Sequence, residues 1–348
     1  MTATDTHGSR PLSVIVPARN EEAGLAACLH SLASQSNIDF EIIVIDDHST
    51  DRTREIALSF PQVTLIEAGP LPENWTGKNN AVFAGAKAAR GEWLLFTDAD
   101  TIHRPGSLAS SLEEAMHCAA ALLSYSPEQI VTGFWQKAVM PVIFAELAAS
   151  FRPAQVSDPK SSSAAANGQY ILITREAYDA VGGHAAIARS LLEDVALARA
   201  VKQSGRRIFF RFGGDAVQTC MYRTFTQLRE GWTKNLALLF PSPLRLAVLR
   251  ALEFALIVGC IAIGISTAAR GHRQPAILAA ALAAILYAFF LTRIRRAHFS
   301  WDANFLALLG LPLFSYLLLR SARAHSTGAV SWKGRKYSDE RSVLVTGH

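Results

Sequence analysis

Short apolar runs, rich in β-branched residues, alternate with amphipathic stretches through the first half of the chain. "LSVIVPA" (12–18), "FEIIVID" (40–46), "VTLIEA" (63–68) and "EWLLFTDAD" (92–100) have the length and composition of buried strands. Between them, "RNEEAGLAACLHSLASQ" places Leu25, Leu29 and Leu32 at helical spacing, with Asn20 as expected N-cap and Glu21 and Glu22 in the first turn. "STDRTREIALSF" opens a second helix with capping residues, and "GKNNAVFAGAKAAR" reads as a third. This β-α-β-α order predicts an α/β fold with a doubly wound, mostly parallel sheet. Ligands of such sheets bind beyond the carboxyl ends of the strands. Strands covered on both faces bring polar residues out at that crevice. Asp46 and Asp47 end the second strand, and Asp98 and Asp100 end the fourth. Ser49 and Asp51 also suit a helix cap, whereas Asp98 and Asp100 precede "TIHRP", with no immediate apolar helix. Further on, "YILIT" reads as a strand, "REAYDAV" as a short helix stopped by Gly182 and Gly183, and "LLEDVALARAVKQSG" as a helix opened by Glu193 and Asp194. His184 falls in the loop after the stop, with an acceptor contact as its second reading.

The last third follows another pattern. Leu244–Ala269 carries charge only at Arg245, Arg250 and Glu253; Ala276–Thr292 and Ala303–Leu319 are two further apolar runs. A membrane helix needs roughly 17 to 25 such residues, so the three predict membrane segments. Just before them, Phe225, Leu228, Trp232, Leu236 and Leu239 share one face of a helix over 223–239, opposite Arg223, Gln227, Glu230 and Lys234. That face suits either a lipid interface or a protein core. The expected division is a catalytic domain over 1–243, membrane helices over 244–320 and a basic tail over 321–348. Three full spans put Arg320, Arg323, Lys333, Arg335 and Lys336 on the side opposite a cytosolic catalytic domain, against the positive-inside tendency, so one segment is open to being re-entrant or interfacial.

Composition adds constraints. The net charge is +5, and many of the basic residues sit after Ala200, around the apolar runs, which points to a membrane surface before nucleic acid. Cys28, Cys118, Cys220 and Cys260 are scattered, without zinc spacing or a disulfide framework, as suits a reducing compartment. The polar opening "MTATDTHGSRP" is not a secretory leader, and "NWT" at 74–76 reads as a chance sequon. The first strand lacks a following GxGxxG and the chain lacks GxxxxGK[ST], which argues against dinucleotide oxidoreductases and P-loop NTPases.

Taken together and in order, "VIVPARNEE", "VIDDHSTD", "TDAD" and "LLEDVALARAVKQSG" resemble the family 2 glycosyltransferases of GT-A fold over about Leu12–Asn235. "YRTFTQLREGWTKN", the hydrophobic helices and "SWKGRKY" resemble membrane-bound members that glycosylate lipids such as carotenoids. The resemblance implies a nucleotide-sugar donor, a lipid acceptor and inverting transfer. Asp100 would bind Mg2+ or Mn2+, with Asp98 in the donor and metal shell. If extended, these aspartates share one side, and hard oxygen ligands suit either ion. Asp47 would accept a hydrogen bond from a uracil-type base, and the Pro17, Arg19 and Glu21 loop would lie beside the nucleoside. Asp46 is assigned to structure. Lys78 would neutralise phosphate; Gly168 and Gln169 would approach the sugar; Asp194 would be the base.

Plainer readings stand beside these: a surface pair for Arg19 and Glu21, an exposed helix lysine for Lys78, and helix-dipole complementation for Glu193 and Asp194. The chain departs from the family's QxxRW with "QLREGW", which puts Trp232 in doubt as an acceptor contact and argues against a processive polymer synthase. The expected protein is a membrane-bound, metal-dependent transferase of one sugar, a UDP-sugar by preference, acting at the cytoplasmic face. Alternatives are a non-catalytic nucleotide-sugar-binding membrane protein, or a transferase of polyprenyl-phosphate or polysaccharide assembly.

Overall fold

A computed structural model of the chain describes residues 11–332 and 334–337. Residues 1–10 of the polar opening, Lys333 and residues 338–348 of the expected tail lie outside the described residues. The chain divides into two compact units, one of residues up to Ile130 plus Phe151–Met221, the other of Val131–Ser150 plus the residues from Tyr222 onward.

The first unit alternates strands and helices as the hydrophobic pattern predicts. In chain order it begins β1 (Leu12–Ala18), α1 (Leu25–Ala33), β2 (Phe40–Asp46), α2 (Thr53–Leu58), β3 (Val63–Glu67), α3 (Gly77–Ala88) and β4 (Trp93–Phe96). There follow β5 (Thr101–His103), α4 (Ser107–His117), β6 (Leu122–Ser126) and β7 (Glu128–Gln129). The chain then passes through α5 (Phe134–Ser150), which belongs to the second unit. It returns as α6 (Pro153–Ser157), β8 (Ile171–Thr174), α7 (Arg175–Ala180), α8 (Gly183–Ala186), α9 (Glu193–Gln203), β9 (Ile208–Phe212) and β10 (Val217–Thr219). Seven strands form one sheet in the order β3-β2-β1-β4-β8-β6-β9, and β5-β10-β7 form a small second sheet. The large sheet is parallel except for β8, which runs antiparallel to both β4 and β6.

Alternation along each strand divides the core in two. Leu12, Val14 and Val16 of β1 pack with Leu25, Leu29 and Leu32 of α1, while Ile15 packs on the opposite face with Ala81 and Val82 of α3. The N-terminal end of the sheet is tied by a buried polar group. Glu41 accepts from the Ser13 hydroxyl at 2.6 Å and from the Arg90 backbone N–H at 2.7 Å, and pairs with the Arg90 guanidinium at 3.0 Å. Asn20 is not the cap of α1. It has φ 52°, its side-chain oxygen accepts from the Thr50 N–H at 2.8 Å, and α1 starts at Leu25 after a turn. The short asparagine side chain has bridged to the neighbouring loop instead of closing its own helix.

The second unit consists of α5, α10 (Phe225–Leu239), α11 (Pro243–Ala269), α12 (Arg273–Ile294), α13 (Trp301–Ser326) and the hairpin β11 (Val330–Trp332) and β12 (Arg335–Tyr337). Part of the apolar face of α10 is covered by protein, while Phe225 at its start is exposed. Leu228, Trp232 and Leu236 are buried, and the Trp232 indole N–H points at Met140 Sδ of α5 at 3.3 Å. Gln227 is spent on a capping box with Thr224. The "QLREGW" segment therefore serves packing and capping within this unit. Among the described residues, three helices are long and apolar enough to cross a membrane, but they differ: 17% and 11% of the residues in the most apolar windows of α11 and α12 are buried, against 50% in α13.

Candidate active site

β1, β2 and β4 end at one edge of the large sheet, and antiparallel β8 begins there, so the segments after the first three and before the fourth converge. Two groups of side chains form along this edge.

The first group joins the exits of β1 and β2. Pro17 pairs in register with Ile45, and the Asp47 N–H donates to the Ala18 carbonyl at 2.8 Å. Arg19 Nη1 donates to the Asp47 carbonyl at 2.8 Å and lies 3.9 Å from its carboxylate. The Glu21 N–H donates to the Thr53 hydroxyl at 2.7 Å, which ties the β1–α1 loop to the start of α2. Asp46 and Asp47 are both buried, yet they differ in use: Asp46 Oδ1 accepts from the Ser49 N–H at 3.1 Å and shapes its own loop.

The second group is a charged cluster. Lys78 stands in the first turn of α3, whose N-terminus is capped by the Thr76 hydroxyl. Its ammonium bridges Asp98 Oδ1 at 2.8 Å and Glu193 Oε1 at 2.7 Å. Burial works against that charge, but the two carboxylates outweigh it and hold the ammonium well above the usual lysine range. Asp194 lies beside them in the first turn of α9, Oδ2 accepting from the Gly168 N–H at 3.0 Å and Oδ1 from the Val195 N–H at 2.8 Å. Burial, then the charge of Glu193, push the Asp194 carboxyl up to about 6, while Lys78 and the two N–H groups oppose the rise. A helix N-terminus by itself lowers a carboxyl pKa; desolvation overrides it here. Such a group is ionised at neutral pH and a stronger base than an ordinary aspartate.

Gly168 is where backbone and charge meet. A Cβ there would lie 3.1 Å from Lys78 Nζ and 3.3 Å from Glu193 Oε1, so a side chain would intrude on the cluster. The neighbouring Gln169 is a buried framework residue. Its Nε2 donates to the Thr219 hydroxyl at 3.2 Å, and its carbonyl accepts from the Thr97 hydroxyl at 2.9 Å. Asp98 and Asp100 occupy a turn, not an extended segment. Thr101 closes it by donating its N–H to the Asp98 carbonyl at 3.2 Å, and the Thr219 hydroxyl donates to the Asp100 carbonyl at 3.3 Å. The alternation argument for a shared side does not apply there; the turn keeps the two residues close by other means. Two aspartates on one turn suit Mg2+ or Mn2+, which commonly take one or two protein carboxylates and complete their shell with phosphate oxygens and water. Among the described residues, no group of three or more His, Cys, Asp or Glu gathers as a metal cage.

Several features escaped the sequence reading. Asn79 is wholly buried in α3 and its amide reaches the carbonyls of Ile187, Ala188 and Ser190 at 3.0–3.1 Å, which pins the segment leading into α9. The signal was available: two asparagines on a short helix facing an apolar sheet need partners. Glu193 proves to be the second carboxylate on Lys78. His184 is not a loop contact; it is buried in α8, its Nδ1 3.0 Å from the Tyr178 hydroxyl, and burial pushes its pKa down to about 4.

A doubly wound sheet with paired carboxylates, a lysine and a helix-opening Glu-Asp at its carboxyl edge has a GT-A-like fold. The chain belongs to glycosyl transferase family 2, whose model matches residues 13–195. It is 28% identical over 335 residues to a 4,4'-diaponeurosporenoate glycosyltransferase of Staphylococcus aureus (strain bovine RF122 / ET3-1), covering 94% of this chain and 88% of the relative. The strain N315 protein of the same name is 27% identical over 343 residues, covering 97% and 91%. Among solved structures, a mannosyltransferase from Pyrobaculum calidifontis in complex with GDP-Man and Mn2+ superposes with a TM-score of 0.50 at 18% identity, over 90% of this chain and 86% of that one. The last likeness is one of fold.

Proposed function

We propose that the protein is an inverting, metal-dependent glycosyltransferase that moves one sugar from a nucleotide sugar, a UDP-sugar by preference, to a hydrophobic membrane acceptor of carotenoid type. The observation that carries this reading is the cluster of Lys78, Asp98, Glu193 and Asp194 around bare Gly168. It combines a cation for a diphosphate with a base of raised pKa. The relatives named for diaponeurosporenoate, a carboxylate, supply the acceptor class. The apolar helices suit an acceptor dissolved in lipid. The α/β unit is placed on the cytoplasmic face.

Each residue has a task. Asp47 takes an N–H of the base, with Pro17, Arg19 and Glu21 beside the nucleoside. Lys78 meets the diphosphate, Asp98 stands in the donor and metal shell, Asp100 would hold Mg2+ or Mn2+, and Gly168 admits the sugar, with Gln169 as the floor beneath. The bound ion supplies positive charge that stabilises the departing diphosphate. The acceptor oxygen forms its bond to the anomeric carbon as the bond to the diphosphate breaks, and the electron pair leaves with the nucleotide. From a hydroxyl acceptor the proton passes to Asp194; a carboxylate acceptor has none to give and needs no base.

Titration of the purified protein with UDP, with and without Mn2+, tests the donor site. Mn2+-dependent binding that weakens in Asp100→Ala is expected. Absence of UDP binding under every metal condition overturns the UDP assignment and turns the titration to GDP and other nucleotides. For the acceptor, Asp194→Asn is expected to reduce transfer to a hydroxyl by about 10²–10⁴-fold, the usual worth of a general base, and to spare transfer to a carboxylate far more.

A further inference from the structure

We infer that only α11 and α12 cross the bilayer, and that α13, despite its length and apolarity, lies in the membrane interface on the side of the α/β unit, resting a stripe of its surface on lipid.

The contacts of α13 carry the argument. Near its start, Asp302 pairs with Lys137 of α5 at 2.7 Å. Mid-helix Gly310 packs so tightly on α5 that a Cβ would run into the Ala138 carbonyl. At its end, the Ser321 hydroxyl donates to the Thr233 carbonyl of α10 at 2.7 Å and accepts from the Ala237 N–H at 2.9 Å, and His325 Nε2 lies 2.8 Å from the Lys234 carbonyl. Both partners are tethered to the α/β unit by the chain itself. The chain leaves that unit at Ile130, runs through α5 and is back in it at Phe151. Neither end of α5 is free to reach the far leaflet. α10 starts four residues after the unit ends at Met221, carries Arg229, Glu230 and Lys234, and at about 1.5 Å per residue is too short for a hydrocarbon layer of about 30 Å. A helix held at its start by α5 and at its end by α10 stays on their side.

The surface of α13 agrees. Trp301, Phe305, Leu309, Pro312, Tyr316 and Leu319 are exposed, and at about 100° per residue they fall within one narrow stripe. The buried positions, from Ala303 through Ala307 and Phe314 to Ala322, occupy the opposite arc. Such a helix has one face for protein and one apolar face for the upper part of a bilayer. The Tyr287 hydroxyl of α12 donates to the Phe305 carbonyl at 3.4 Å, which sets the start of α13 about 9 Å of helix below Arg293, within the depth of an interfacial helix.

The pair of helices α11 and α12 has charged markers at both ends. Glu146 of α5, Arg250 and Glu253 of α11 and Arg293 of α12 form a neutral quartet: Arg250 reaches Glu146 at 3.0 Å, and Arg250 and Arg293 each reach Glu253 at 2.7 Å. The opposite turn carries Arg270, His272 and Arg273. From Glu253 to Arg270 is about 25 Å of helix, and from Arg273 to Arg293 about 30 Å, which matches the hydrocarbon thickness of about 30 Å. Ser315 of α13 bonds the Ala247 carbonyl at 2.9 Å, on the side of the quartet away from that turn. Two crossings also bring Arg320, Arg323 and Arg335 to the side of Arg295 and Arg296, as the positive-inside tendency asks of a cytosolic face.

The test is thiol labelling of the full chain in spheroplasts with a membrane-impermeant sulfonated maleimide. Partly exposed Cys118 and Cys220 of the wild type report the side of the α/β unit. Exposed His272 and Ser331 receive cysteines singly, as His272→Cys and Ser331→Cys. The expected result is an added label on His272→Cys in intact spheroplasts, with wild type and Ser331→Cys labelled only after permeabilisation. Label on both variants in intact spheroplasts means three crossings and overturns the inference. Label on His272→Cys only after permeabilisation, together with the wild-type thiols, means no crossing and overturns it too. An inverted pattern, with wild type and Ser331→Cys labelled from outside and His272→Cys adding nothing, supports the two crossings while overturning the cytoplasmic placement proposed above.

Discussion

Lys78 is surrounded by more negative charge than it can neutralise. Asp98, Glu193 and Asp194 converge on one ammonium. In the proposed reading, a bound metal–diphosphate would bring its own cation to that surplus. The same surplus sets the proton affinity of Asp194. Protonated Asp194 cannot accept a proton, so kcat/KM for transfer to a hydroxyl should fall below an acid limb near pH 6, where that carboxyl is placed by burial and Glu193. Neutral Glu193→Gln removes a repelling charge and should move the limb to lower pH. Lys78→Met removes the attracting charge and should move it to higher pH. Full pH profiles for the three proteins check the signs; a limb that stays fixed in both variants detaches it from Asp194.

At the scale of elements, the strands were legible because their apolar runs are long, β-branched and uninterrupted. The sheet buries both faces, so nothing in the environment contradicted local preference. The antiparallel entry of β8 was not legible, since strand direction depends on connections and not on residue type. α5 was missed for a different reason: its "AVMPVIFAELAAS" run carries Pro141 and resembles neither a clean strand nor an amphipathic helix. The chemistry was legible as short motifs, but its pairings were not; Lys78 meets Glu193 across more than a hundred residues. Glu41 shows the same limit inside β2. Although burial works against its charge, Ser13 and Arg90 hold its carboxyl below the ordinary 4.5. Glu41→Gln should cost about 1.5–3 kcal/mol, the usual worth of hydrogen bonds to a charged group. The wild-type advantage is complete above the unfolded-state value and is lost as pH falls toward the folded one. Thermal melts should therefore show a constant gap from pH 7 down to the ordinary 4.5 and convergence only as the pH is taken below it. In the helical unit, Gly310→Ala forces a methyl onto the Ala138 carbonyl, which cannot swing aside. A loss of about 1–3 kcal/mol is expected from such overpacking, read as a lowered melting temperature in detergent micelles with UDP binding retained.

For the whole molecule, the boundary that matters is not the one where hydrophobicity begins. Reading along the chain places the division near residue 243, before the first apolar run. The folded units place α5 and α10 with the membrane helices. The difference has a physical consequence for any attempt to free the catalytic part. A chain ending at Ser242 keeps α5 and α10 but loses α11, α12 and α13. On α5, Ala138, Val139, Val142 and Ile143 are buried in the full chain, as are Leu228 and Leu236 on α10. Ser321 and Gly310, which close onto these two helices, are gone. Uncovered, these faces would present an apolar patch of the kind that soluble monomers rarely carry without associating. The truncated chain should therefore aggregate on removal of detergent, even though the three apolar runs are absent. Light scattering of the detergent-free fraction checks this. A monodisperse monomer would show that α5 and α10 cover each other unaided, and that α13 is an addition to the helical unit and not part of its core.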